Sequence, residues 1–141
     1  MKKIFLLLMI IITTIPASAQ ESLNINSVFS LYGRKKGCKM VEMHDCTIKG
    51  YKLSVYKSLE YTTHQKEIES LLNKDREDAR KVQEVINGGV LLGGYYIMPQ
   101  TKKSQPNRYI LYRRGKGTSP SVIVYMEGNI NPDELMKITR K

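Results

Sequence analysis

The stretch Tyr51-Lys52-Leu53-Ser54-Val55-Tyr56-Lys57-Ser58-Leu59-Glu60-Tyr61 sets Tyr51, Leu53, Val55 and Leu59 against Lys52, Ser54, Tyr56 and Ser58. A period of two belongs to a strand, and one apolar side marks a sheet with one dry face. Working outward, residues 38–43 read as a preceding strand, with a turn or a single helical turn over 44–50. Three more strands are expected at 90–98, 108–114 and 121–127, joined by the link 99–106 and the turn Gly115-Lys116-Gly117-Thr118. Such short polar links favour antiparallel neighbours.

Helices flank these strands. Ile25, Val28, Phe29 and Tyr32 fall at i, i+3, i+4 and i+7, with Asn24 or Ser22 to start the helix and Gly33 to end it. The longest predicted element is a helix over 64–86, with Ile68, Leu71, Leu72, Ala79, Val82 and Ile86 on one stripe. Thr62 or Thr63 would cap its start and Asn87-Gly88-Gly89 would stop it. Its middle, Lys74-Asp75-Arg76-Glu77-Asp78, reads as a solvated face laced with i,i+4 pairs. A last short helix has a clear start: Asn131 as cap, Pro132 in the first turn, Glu134 as the capping-box carboxylate, and Ile130 with Leu135 as a hydrophobic staple. The expected class is therefore α+β, a mostly antiparallel sheet of about five strands with one long and two short helices on one face. An OB-type barrel is the alternative, disfavoured because helices frame the strands.

The chain opens with an address. Lys2 and Lys3 precede an apolar run over 4–15, then Pro16 and the small-x-small triplet Ala17-Ser18-Ala19. That is the pattern of a secretory signal peptide cut between Ala19 and Gln20, and the run is shorter than the ~20 residues that span a bilayer. The expectation is a single domain over 20–141, periplasmic or extracellular, not spanning a membrane after cleavage. The formal charge of +10 loses only Lys2 and Lys3 with the leader, so the domain stays basic. Outside the cytoplasm its natural attractants are anionic glycans and lipid head groups rather than nucleic acid. Cys38 and Cys46 are the only cysteines. An oxidising compartment permits a bridge between them. A plain hairpin turning at His44-Asp45 keeps the sulfurs beyond the ~7 Å limit between Cα atoms, whereas a looser loop brings them together.

Candidate chemistry is sparse. Ser54-Val55-Tyr56-Lys57 has the S-x-x-K spacing of serine acyltransferases, but on a strand residues three apart face opposite ways. His44 beside Asp45 suggests a general base without a nucleophile to serve. His44, His64, Cys38 and Cys46 show no metal-ligand spacing, and no cofactor motif is present. The richest stretch for binding is Arg108-Tyr109-Ile110-Leu111-Tyr112-Arg113-Arg114 with Lys116. Arg108, Tyr112, Arg113, Arg114 and Lys116 form the candidate anion- or partner-binding set, since arginine and tyrosine together stack on rings and hold anions.

Several short stretches carry a family resemblance: Leu23-Asn24-Ile25-Asn26, Gly94-Tyr95-Tyr96, Asn107-Arg108-Tyr109-Ile110-Leu111, Ile123-Val124-Tyr125-Met126-Glu127-Gly128 and Asp133-Glu134-Leu135. The chain resembles a domain-of-unknown-function family of small exported proteins from Gram-negative gut bacteria of Bacteroides type, the one numbered about 6108, which implies an exported α+β domain and supplies no activity. Cys38 and Cys46 stand outside that pattern. The function expected from the residues is a non-enzymatic envelope protein binding a partner protein or an anionic surface component. The alternatives are an accessory subunit of an envelope assembly and a small hydrolase or transferase.

Overall fold

The computed structural model describes residues 23–100, 106–131, 133 and 134. The expected leader and its expected Ala19/Gln20 cleavage site, residues 101–105 of the link 99–106 and most of the expected closing helix lie outside the described residues. The elements run α1 (Ile25–Tyr32), β1 (Cys38–Ile48), β2 (Tyr51–Tyr61), α2 (Gln65–Asp78), β3 (Arg80–Asn87), β4 (Val90–Met98), β5 (Asn107–Arg113) and β6 (Ser121–Gly128). They build one antiparallel sheet in the order β1-β2-β6-β5-β4-β3. The class is α+β as expected, with six strands rather than five.

The extra strand comes from the expected long helix, which stops at Asp78 instead of Ile86. Ala79 is already extended, and the chain from Arg80 pairs with β4. The β-branched Val85 and Ile86 suit a pleated surface better than a helix, where their χ1 angles are crowded. Gly88 and Gly89 take φ of 59° and 78°, so the expected helix stop is a two-residue hairpin turn that needs positive φ at both positions. Lys49-Gly50 does the same for β1 and β2, and residues 44–48 are strand rather than turn.

Helices α1 and α2 cover one face. Ile25, Val28 and Phe29 from α1 and Ile68 and Leu72 from α2 pack on Leu59, Tyr61, Tyr96, Met98, Ile110, Tyr112, Ile123 and Tyr125 of the sheet. Tyrosine and isoleucine interleave across strands there: Ile110 sits between Tyr96 and Tyr125. Large rings beside branched aliphatics fill such a layer without voids. Three of the four rings point their hydroxyls to a carboxylate at the margin, and Tyr61 does not. Tyr96 donates to Glu84 Oε2 at 2.9 Å and Tyr112 to Glu69 Oε1 at 2.5 Å, while Tyr125 donates to Glu127. Arg76 pairs with Glu84, and Arg114 Nη1 lies 2.9 Å from Glu69. A buried phenol is tolerated when its proton has an acceptor, and these margins supply one.

Among the described residues neither helix start is capped as expected, and Ser22 lies outside them. Asn24 and His64 occupy the N-cap positions of α1 and α2 without a side-chain cap bond, and His64 holds φ of 59°. Thr62 and Thr63 donate instead to the backbone of Gly37 and Lys36. The start of α1 is capped across the fold by Asp75 of α2. Its Oδ2 accepts from Ile25 N–H at 2.8 Å and its Oδ1 from Asn24 N–H at 2.9 Å and Asn24 Nδ2 at 3.0 Å. Asp75 is 3% exposed, which corrects the reading of 74–78 as wholly solvated. The capping box at the C-terminal end does form: Glu134 N–H donates to Asn131 Oδ1 at 2.9 Å and Asn131 N–H to Glu134 Oε2 at 3.3 Å.

The β1–β2 hairpin outruns the sheet. β2 pairs with β6 only from Val55 onward, and Asp45 takes φ of 49° opposite that point. Beyond it the ribbon is two-stranded, where twist is strongest. Leu53 and Val55 share one alternation, yet Val55 packs toward the helices while Leu53 joins a second cluster on the far face.

Cys38 and Cys46 stand eight positions apart on this one strand, about 26 Å at strand rise, so no hairpin closes a bridge between them. Both thiols are free and half-buried. Alkylation of the unfolded protein without reductant is expected to add two labels. Labels that appear only after reduction would contradict this placement.

Candidate open-face binding site

The second face of the sheet carries no helix among the described residues. Register fixes what stands on it, since residues directly opposite one another share a face. One row across the strands is Lys39, Glu60, Val122, Arg113, Gly93 and Val85. The next is Val41, Ser58, Val124, Leu111, Tyr95 and Gln83. A third runs Met43, Tyr56, Met126, Tyr109 and Ile97. The middle of the second and third rows is apolar, although a face open to water normally alternates to polar residues.

The two flanks curl toward this face. Register shifts between Lys81 and Gln83 and between Val85 and Ile86 bend β3 and β4, as bulges do. On the other side the twisted tip of the β1–β2 hairpin brings Ile48 over. The result is a concave cavity of about 890 Å³ floored by Leu111, Val122, Val124 and Met126. Leu53, Tyr109, Leu111, Met126 and Ile130 close one end of the face as a small buried cluster. The opposite end is cationic, with Arg113, Arg114 and Lys116 lining it. Arg114 is held by Glu69, while Arg113 and Lys116 are exposed and form no ion pair with a described residue.

Residues 12–139 of the sequence match the family of unknown function DUF6108. The chain belongs to that family. No curated protein and no solved structure is significantly similar to it. In this DUF6108 chain the structure splits the binding residues proposed from the sequence. Arg108, Tyr112 and Arg114 turn their polar groups to the helix-covered side, although Tyr112 and Arg114 also touch the cavity lining: Arg108 donates to Pro99 O and lies beside Tyr125, and Tyr112 and Arg114 share Glu69. Gln65 completes that network, donating to Glu69 at 2.7 Å and Tyr112 at 2.8 Å and accepting from Ser121 Oγ at 2.7 Å. Only Arg113 and Lys116 reach the cavity as exposed, unpaired cations. Strand alternation explains the split, because five residues spread over one strand and its following turn cannot share a face.

The remaining candidates are dispersed. Ser54 Oγ donates to Glu127 O at 3.1 Å, whereas Lys57 Nζ points to Glu42 at 3.3 Å and lies 5.9 Å from the Phe29 ring centroid. The two side chains thus engage different partners and not each other. His44 is exposed on edge strand β1, 3.8 Å from Glu42 and outside the cavity lining. Among the described residues no three His, Cys, Asp or Glu side chains converge as for a metal ion. No described helix is long and apolar enough to cross a membrane. The sequence did carry a signal for the open face. Residues 109–112 of β5 and 122–126 of β6 are apolar on both alternations, which asks for cover on both sides of the sheet.

Proposed function

We propose that this domain is an exported, non-enzymatic binding protein of the bacterial envelope that holds an anionic surface component on its open sheet face. The observation that carries the reading is the concave apolar floor ending at Arg113 and Lys116. Apolar burial supplies affinity and the unpaired cations select negative charge. The leader pattern at 1–19 supports export. An accessory subunit of an envelope assembly is the second reading, favoured by Val41, Met43 and Val85, which leave 41%, 36% and 50% of their surface exposed at the margins of the same face.

Two measurements test the proposal. Cells expressing the full chain are expected to yield periplasmic or secreted protein beginning at Gln20. Intact protein with Met1 in the cytosol would overturn the export half. The purified protein is expected to retain an anionic envelope fraction at low salt and release it at high salt, with R113Q/K116Q retaining little. Retention that ignores both salt and this double substitution would overturn the binding half and favour the accessory subunit.

A further inference from the structure

The floor and the cationic end differ in what they can recognise. Val124, Leu111, Val122 and Met126 offer no hydrogen bonds, so a glycan laid over them would lose its hydration without replacement. A small inorganic anion would meet only two exposed side chains and leave the floor wet. An apolar chain ended by a charge uses both parts. Its head belongs on the Arg113 side, because Glu60 stands in the same row two strands away, about 10 Å across, with Val122 between. Gly93 next to Arg113 leaves a depression there: a Cβ at Gly93 would meet only Tyr112 O, at 3.2 Å. Arg113 and Lys116 set against Glu60 balance a single negative charge rather than two. The cavity of about 890 Å³ is within the size range of small-molecule sites.

We propose that the open face binds a long-chain carboxylate, its head between Arg113 and Lys116 and its acyl chain across Val122, Leu111 and Val124 toward Met126. This rests on the reading of that face as a binding surface. The test is calorimetric titration of the purified protein with octanoate, decanoate and dodecanoate, each below its micelle concentration. Affinity is expected to rise about fourfold per added methylene. R113Q/K116Q should weaken every member about tenfold without changing that increment, since both side chains are exposed and the melting temperature should hold. Affinity independent of chain length, or indifferent to the double substitution, overturns the proposal. Salt-dependent retention of dextran sulfate without carboxylate binding overturns it while leaving an anion-binding function standing. Absence of both removes the two together. Dimerisation by sedimentation without carboxylate binding would give the face to a second copy. Binding seen only after removal of residues 132–141 would give it to the chain's own end. Either result overturns the proposal.

Discussion

Asp75→Ala is expected to destabilise the domain by about 3 kcal/mol and lower its melting temperature by about 10 °C. The carboxylate is buried and accepts from the backbone N–H of Asn24 and Ile25 and from the Asn24 amide. The first N–H groups of a helix have no partner inside it, and they carry the positive end of its dipole. Alanine removes the acceptors and leaves those donors buried beside α2, which costs more than a typical exposed cap. Asp75→Asn keeps one carbonyl oxygen but loses the charge, so about half the loss is expected. Asp78 is exposed near the end of the same helix, and Asp78→Ala should change stability by less than ~0.5 kcal/mol. Chemical denaturation of the three variants checks this. Equal costs for Asp75→Ala and Asp78→Ala would show that the link between the helices carries no weight.

Asp75 also shows where the sequence was legible and where it was not. It falls on the stripe of Ile68, Leu71, Leu72 and Ala79, seven residues after Ile68, so its position already pointed inward. Its charge made it read as solvent-facing, because the partner that satisfies it lies fifty residues earlier in the chain. The same limit governs the end of α2. Residues 80–86 continue a helical spacing of apolar positions, and only pairing with β4 decides for strand. The five expected strands are all present, since the alternation of 51–61 and the turn-bounded runs of the others are local properties. The sixth needed a tertiary partner to exist.

The candidate site follows the same division. Arg113 and Lys116 were visible as part of a basic, aromatic strand, and alternation could separate Arg113 from Arg108, Tyr112 and Arg114. Which side would be covered by helices was not a local question. Nor was the curl of the sheet, which depends on bulges in β3 and on a ribbon that continues past the end of β6. A concave face with its floor on β5 and β6 and its walls on the other four strands has no signature in any one of them.

Alkaline unfolding beginning just above pH 10 is the other large effect. Tyr61, Tyr96, Tyr112 and Tyr125 are at most 4% exposed, and burial raises each phenol above its ordinary value of 10.0. Hydrogen bonds to Glu84, Glu69 and Glu127 raise Tyr96, Tyr112 and Tyr125 further, because a phenolate would face a carboxylate. Tyr109 is raised too, by burial first. The folded state therefore binds protons that the unfolded state releases once the pH passes 10. This stabilisation is complete below pH 10 and is lost as pH rises toward the folded values, at up to about 1.4 kcal/mol per phenol per pH unit. Four such groups together remove about 5 kcal/mol per unit, comparable to the whole stability of many small domains. Tyrosinate absorbance from these rings should then appear together with loss of the circular dichroism of the fold, in one cooperative step. Tyr61→Phe should move that step to higher pH at little cost near neutrality, because the Tyr61 hydroxyl makes no hydrogen bond of normal geometry beside Tyr112 and Gln65. Ionisation of these rings near pH 10 with the dichroism intact would mean that they are reached by water and do not form the layer between helices and sheet.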